Sequence, residues 1–362
     1  MAVVSQQQQA RKGGMSELAK SEERTAMWLL APTIILLILI AIYPLLRVFY
    51  LSTTNKRFAS SQPVEFVGFQ NFRNLLSLTI RELPAEVDAN GQPVIEDGVR
   101  QYESPVAILP REPVRYREVS EFSLFGRRYV LGGTNPDFVL SIWDTVLFAI
   151  ATVALETILG LIIALALARK FFGRGVMRTA MLIPWAIITA VSTLIWQWMF
   201  KSNRSGFFNM LGDSLGWTDG NTVFLVNKAL QLPSAIAIDV WKTTPFMALL
   251  LLAGLATIPS ELYEAAEVDG ASKLRQFFSV TLPLLVPTLA VALIFRTLDA
   301  LRVFDLFQIM FGESRYSMTT FAQFSLVSNK DMGLSSAASV VIFILLFSFA
   351  VFYMRVLKVD AE

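Results

Sequence analysis

The stretch Pro259-Ser260-Glu261-Leu262-Tyr263-Glu264-Ala265-Ala266-Glu267-Val268-Asp269-Gly270-Ala271 continues through residues 272–279 to Val280-Thr281-Leu282-Pro283, a polar interruption between two long apolar runs. Ser260 suits a helix N-cap, and Glu261, Glu264 and Glu267 suit the first turns of a helix starting there. Ala265 and Ala266 are small and favour helix. Gly270 stands where that helix should stop and the chain turn. Residues 271–280 can form a second short helix, and Pro283 opens the next apolar run. The segment therefore predicts a helix–turn–helix knuckle with a small-residue knob and an acidic flank, a shape that can dock into a cleft.

The flanking apolar runs set the class of the molecule. Of 362 residues, 54% are hydrophobic and only 17% charged, against about 45–50% apolar, glycine included, in soluble domains. Six segments are long and apolar enough to cross about 30 Å of hydrocarbon as helices: 26–52, 143–168, 177–200, 232–258, 284–307 and 334–357. The first is too long for a signal-peptide core and lacks a small-residue cleavage site, so it reads as a retained helix. The expected fold is all-α and polytopic, with a cytoplasmic tail (1–25), helix 1 (26–52), an external insert (53–140), helices 2–6 (141–357) carrying the loop 259–283, and a short C-terminus (358–362). A net charge of +2 offers no basic field for nucleic acid. With neither cysteine nor histidine present, disulfides, thiolate catalysis and imidazole acid–base chemistry are excluded.

Short-loop cations orient the chain. Arg11, Lys12, Lys20 and Arg24, then Arg169, Lys170, Arg174 and Arg178, then Lys273 and Arg275, then Arg355 and Lys358 fall on one side. The opposite short loops carry only Lys201, Arg204, Lys228, Arg315 and Lys330. The positive-inside rule then puts both termini and the knuckle in the cytoplasm, as six crossings require. The polar stretch 53–140 lies outside, and Glu121–Gly132 reads as a hairpin around Gly126. The Gln6–Gln9 run marks the tail as disordered. No internal repeat is visible.

The knuckle resembles the signature of ABC-importer permeases: Glu264-Ala265-Ala266, three residues, Gly270, nine residues, then Val280-x-Leu282-Pro283, with Val280 where the family has Ile. Further similarity to the sugar-type (maltose/trehalose, MetI-like type-1) permeases lies in Ala31-Pro32, Tyr43-Pro44, residues 66–72, 178–185 and 240–246, and Phe295-Arg296-Thr297-Leu298-Asp299-Ala300. The nearest likeness is to the trehalose and α-glucoside permease subunit that pairs with a second permease. The insert at about 75–137 is longer than such relatives show. Met310-Phe311-Gly312-Glu313 replaces a Thr-Gly-Gly loop found in many of them.

The resemblance implies a type-1 importer permease in a bacterial or archaeal cytoplasmic membrane. Glu264, Ala265, Ala266, Asp269, Gly270, Leu282 and Pro283 would form the coupling loop that seats in a groove of a separate ATPase. It further implies a second homologous permease, two ATP-binding subunits and an external solute-binding protein. The chain contains no G-x-x-x-x-G-K-[ST] phosphate loop, so ATP and Mg are expected on the partner, with no cofactor on this chain.

Charges inside spans are costly unless paired or facing water, so each marks a candidate pathway. Helix five carries Arg296, Asp299, Arg302 and Asp305, three apart and alternating in sign; helix four carries Asp239 and Lys242, and helix two Glu156. Asp305 and Gln308 are candidates to bind sugar hydroxyls, and Trp185, Trp241 and Phe304 to stack on a sugar's C–H face. Mutual pairing that only locks the helices fits Arg296, Asp299, Asp239 and Lys242 equally, and Trp185 and Trp241 fit interfacial or core roles. Pro184 and Pro245 should kink their spans. The leading expectation is import of an α-glucoside such as trehalose or maltose. A permease for sn-glycerol-3-phosphate or another polyol, an intramembrane enzyme, and a sensor or scaffold are the alternatives.

Overall fold

A computed structural model describes residues 17–88, 92, 94–96 and 99–356. The glutamine run, and Arg11, Lys12 and Lys358 among the orienting cations, fall outside the described residues. The described residues fall into two compact units divided between Leu51 and Ser52. The first unit is a single rod: α1 (Glu17–Leu37), a π turn (Ile38–Ile42) and α2 (Tyr43–Ser52). Its apolar side chains, Trp28, Leu29 and Ile40 among them, are exposed along the rod, as a lipid-facing helix requires. The π turn ends two residues before Pro44, whose missing N–H and bulky ring spoil the regular α-helical bond at that point.

The second unit begins with α3 (Gln70–Leu76), β1 (Leu78–Leu83), β2 (Ile95–Glu96), β3 (Val99–Arg100), α4 (Pro105–Ile108), β4 (Arg117–Leu124) and β5 (Arg127–Gly133). The hairpin around Gly126 is present as β4–β5, closed by Phe125-Gly126, and β1 adds antiparallel to β5 to give the order β1-β5-β4. Leu83, Leu109 and Val130 form its small core.

Three long helices carry the membrane part: α5 (Pro136–Ala168), α10 (Lys228–Leu255) and α16 (Met332–Val356), with α13 (Leu282–Ala300) beside them. Asn135 caps α5 by accepting from the Phe138 N–H, and Asn227 caps α10 by accepting from that of Ala229. These caps start α5 at Pro136 and α10 at Lys228, ahead of the 143 and 232 read from hydropathy, which registers only the lipid-facing middle of a helix. The core packs Phe138, Phe148, Leu301, Phe307 and Met318 in one cluster and Leu167, Met247, Leu251 and Leu285 in another.

Three expected elements differ. The third span is not one helix over 177–200. It is α6 (Arg174–Ala180), α7 (Leu182–Ala186) and α8 (Thr189–Met199), bent by 87° at Ile187-Ile188. Pro184 cannot donate to the Ala180 carbonyl, and the β-branched run Ile187-Ile188-Thr189 is a poor helix former. After the small helix α9 (Phe207–Ser214), α10 begins. Second, the short helix expected over 271–280 is α12 (Lys273–Gln276), which runs through a π turn (Phe277–Thr281) straight into α13. This π turn also ends two residues before a proline, Pro283. Third, helix five stops at Ala300 rather than 307; after a turn come α14 (Asp305–Met310) and α15 (Met318–Val327), the latter opened by a capping box of Ser317 with Thr320.

By length and composition five helices can cross a membrane, and the bent pair supplies up to a sixth. Side-chain neighbours decide its role. Ala168, the last residue of α5, and Arg174 and Arg178 just beyond it share a cavity with Leu252 and Leu255 at the end of α10. Asp144 near the start of α5 and Lys228 at the start of α10 share another. The two helices run the same way, so the chain between them must cross back, and α6–α8 is that crossing.

α5 and α10 come close at Gly160, where an added Cβ would lie 2.8 Å from Met247 Cγ and 3.1 Å from the Ala248 N. Close backbone approach through small residues is how helices gain packing in lipid. Gly160→Val is expected to lower stability by about 1–3 kcal/mol, read as a fall in the thermal unfolding midpoint of the purified protein.

Candidate functional site

The intramembrane charges meet around one guanidinium. Arg296 of α13 donates from Nε to Glu156 Oε2 at 2.6 Å and from Nη2 to Glu156 Oε1 at 2.8 Å, a two-pronged pair with α5. Nη2 also reaches Asp239 Oδ2 of α10 at 3.1 Å, and Nη1 reaches Asp299 Oδ2 at 2.5 Å. Thr243 donates to the Glu156 carboxylate and to the Asp239 carbonyl. Arg296 and Glu156 are buried, Asp239 is nearly so, and Asp299 is exposed. Such a cluster holds only because each charge is paired and hydrogen-bonded.

Above this floor opens a cavity of about 200 Å³, lined by Thr189 and Thr193 of α8, Asp239, Lys242 and Thr243 of α10, and Asp299, Ala300 and the residues from Arg302 to Leu306. Lys242 does not join the carboxylates: its Nζ donates to the Ile187 carbonyl at 2.5 Å, the group freed by the break in span three. Asp305 begins α14 and borders the cavity with Phe304 and Arg302, whose Nε donates to the Leu298 carbonyl.

Of the residues read from sequence, Asp299, Arg302, Phe304, Asp305 and Lys242 therefore converge on one cavity, and Arg296 lies beneath it. Gln308, Trp185 and Trp241 are not in its wall. Gln308 is a turn further along α14, half-buried. Trp185 stacks on Phe246 at 5.5 Å, and Trp241 meets Trp196 edge-on at 5.4 Å. Thr189, Thr193 and Thr243 belong to the wall and were not singled out; hydroxyls inside apolar runs carry no signal apart from their neighbours.

The loop 259–283 forms a second candidate. α11 (Ser260–Val268) takes Pro259 as its N-cap and Ser260 as its first residue, without a side-chain cap. The expected N-cap is thus displaced by one position, because proline's fixed φ already sets the entry to the helix. Gly270 at φ +73° ends it. The Gly270 N–H reaches the Glu267 carbonyl at 3.0 Å and the Ala271 N–H the Ala266 carbonyl at 2.8 Å, a Schellman closure. Ser272 caps α12, and Lys273 bonds back across the turn to Glu267. That hydrogen bond and charge hold the Glu267 carboxyl below the usual range. Tyr263 OH meets Thr281 Oγ1 at 3.0 Å, stapling α11 to the π turn. Glu264, Ala265, Asp269, Gly270 and Pro283 are exposed, while Ala266 and Leu282 are half-buried. The knuckle is braced from behind and bare in front.

Residues 156–358 match the family described as binding-protein-dependent transport system inner membrane component. The chain belongs to this family. It is thus a multi-pass inner-membrane permease of the ABC-importer class. The trehalose/maltose transport system permease protein MalF of Thermococcus litoralis is 44% identical over 233 residues, 64% of this chain and 78% of that protein. The sulfoquinovosyl glycerol transport system permease protein SmoG of Agrobacterium fabrum is 33% identical over 338 residues, 92% and 90% of the two chains. A solved bacterial ABC transporter involved in import of the acidic polysaccharide alginate shares the fold, with a TM-score of 0.67 at 19% identity over 96% of this chain and all of its own.

Removing one partner from a buried ion cluster costs about 3–5 kcal/mol. Arg296→Met should lower the thermal midpoint of the purified permease strongly, and Arg296→Lys should recover little, because an ammonium cannot match the two-pronged geometry. The double variant Glu156→Leu/Arg296→Met should be more stable than Arg296→Met alone.

Proposed function

We propose that this permease forms half of the translocation pathway for an α-glucoside, trehalose or maltose in type, and draws its energy from a separate ATPase. The observation that carries the coupling reading is the braced knuckle, whose Glu264–Ala265 face and Gly270 turn are presented outward. A second permease would complete the pathway, two ATP-binding subunits would hold ATP and Mg, and an external binding protein would deliver the solute. Both termini would be cytoplasmic.

The solute reading draws on the trehalose/maltose relative and on the cavity's chemistry. Hydroxyls of Thr189, Thr193 and Thr243 stand with Asp299, Arg302 and Asp305 around a half-open space, the donor–acceptor mixture that sugar hydroxyls need. Phe304 at the rim offers a face for C–H groups. About 200 Å³ is small against the 300–1,000 Å³ usual for ligand pockets, which suits a wall completed by a partner. Three carboxylates, Asp239, Asp299 and Asp305, face the space, while Lys242 is engaged by the Ile187 carbonyl. Lys242 and Arg302 keep their charge in the wall, and Arg296 holds Asp239 and Asp299, so the space offers cations as well as carboxylates.

Gly270→Asp and Glu264→Lys should each abolish uptake of labelled trehalose or maltose in cells while the permease remains in the membrane. Cysteines placed at Ala265 or Ala266 should cross-link to the ATPase. Normal uptake by both variants removes the coupling reading. Saturable uptake of neither sugar by the assembled wild-type system removes the solute reading alone.

A further inference from the structure

The link between the second and third spans carries Arg169, Lys170, Arg174 and Arg178 and no acid. Orientation during insertion accounts for cations at this face; it does not account for how they are arranged. Arg174 and Arg178 line a cavity of about 390 Å³ whose other wall is the apolar end of α10, Leu249, Leu252 and Leu255 among it. Arg169 and Lys170 border an adjoining open hollow with Leu165 and Phe171. Arg178 gives Nη2 to the Leu167 carbonyl at 3.2 Å, but its buried Nε has no hydrogen-bond partner among the described residues. Arg174 reaches the Ala168 and Arg169 carbonyls only at 3.4 Å. Arg169 and Lys170 have no ion-pair partner among the described residues. Between the cations, Phe172 is fully exposed, and Phe171, Val176 and Met177 are exposed as well.

Scattered exposed apolar residues are ordinary on a water-facing surface; here four of them alternate with four cations within ten residues. The surface of a bilayer on its anionic side calls for both, since rings settle at headgroup depth while guanidinium and ammonium groups meet phosphate. Helix capping explains part of Arg174 and Arg178, and leaves Arg169, Lys170 and the free Nε without a role; Leu249, Leu252 and Leu255 pack on the second core cluster and turn their remaining edges to the cavity. We infer that this corner binds an anionic phospholipid, its phosphate held by Arg174 and Arg178, its charge met by Arg169 and Lys170, and an acyl chain lying along Leu249–Leu255 of α10. The ligand is a lipid rather than a free anion because the cavity's second wall is apolar. The inference rests on the membrane crossings and the cavity, not on the identity of the transported solute.

The full-length permease, purified in detergent, would be titrated with phosphatidylglycerol or phosphatidylcholine and read by native mass spectrometry. Wild type should retain one phosphatidylglycerol at least about ten-fold more tightly than phosphatidylcholine, the effect expected of two or more cations at a headgroup. Arg169→Gln/Lys170→Gln, which breaks no side-chain hydrogen bond or ion pair among the described residues, should erase most of that preference, and Leu249→Asn, at a partly buried wall position, should weaken retention of phosphatidylglycerol. A photoreactive phosphatidylglycerol should label residues 165–178 and 249–256. Equal retention of the two lipids, an unchanged preference in the Arg169/Lys170 variant, labelling elsewhere, or displacement of the lipid by millimolar inorganic phosphate would each overturn the site.

Discussion

A single guanidinium, Arg296, holds three membrane helices at fixed distance and orientation. It takes both carboxylate oxygens of Glu156 on α5, one of Asp239 on α10 and one of Asp299 on its own helix. In lipid there is no hydrophobic drive between helices, so packing and polar contacts must supply their association. Close packing such as that at Gly160 resists sliding of α5 on α10, and the buried charge cluster adds to it across all three helices, because separating it leaves ions in hydrocarbon. Thr243 adds to the arrangement by bonding the same Glu156 Oε1 that accepts from Arg296 Nη2.

The same cluster explains why a cavity exists above it. Asp299 and Asp239 are held by Arg296 yet border the open space, so the floor is polar without being free to collapse. The roof comes from a second device. Where span three bends by 87°, the Ile187 carbonyl loses its helical partner, and Lys242 reaches across from α10 to take it. Irregular backbone at membrane depth is tolerated only where it lines such a space. The bend brings Thr189 and Thr193 into the wall, which a straight helix would direct elsewhere.

Hydropathy carried the number and rough places of the spans, because burial in lipid acts on every residue of a crossing helix. It missed what depends on single backbone bonds. The break at Ile187-Ile188 lies within an unbroken apolar run, and only Pro184 and the β-branched residues hint at it. The two π turns, ending two residues before Pro44 and Pro283, keep a helix going where a proline would suggest a start or stop. At the cavity, the alternating charges of helix five and the acids of helices two and four were visible as costly residues. Their pairing was not: Glu156 and Arg296 stand 140 positions apart, and the choice of Ile187 over a carboxylate by Lys242 is purely a matter of geometry. The loop was the most legible part, since Gly270 and the small residues before it act within one turn of helix.

These pieces lie on one continuous element. From Lys273 through the π turn to Ala300 the chain is a helical rod of 28 residues, about 42 Å at 1.5 Å per residue. One end is joined to α11 by the Lys273–Glu267 contact and the Tyr263–Thr281 hydrogen bond; the other carries Arg296, Asp299 and the turn that rims the cavity. Displacement of α11 by a docked ATPase, on the coupling reading, need not be relayed through side chains. It would tilt a rod whose far end holds the charge cluster, and α5 and α10 would have to follow or the cluster would part. Because parting leaves buried ions unpaired, the low-energy response is for the three helices to move as one body. The strain then falls on contacts without such a lock, and the bend in span three, held to the bundle at Ile187 by one hydrogen bond from Lys242, is the place where the wall can yield.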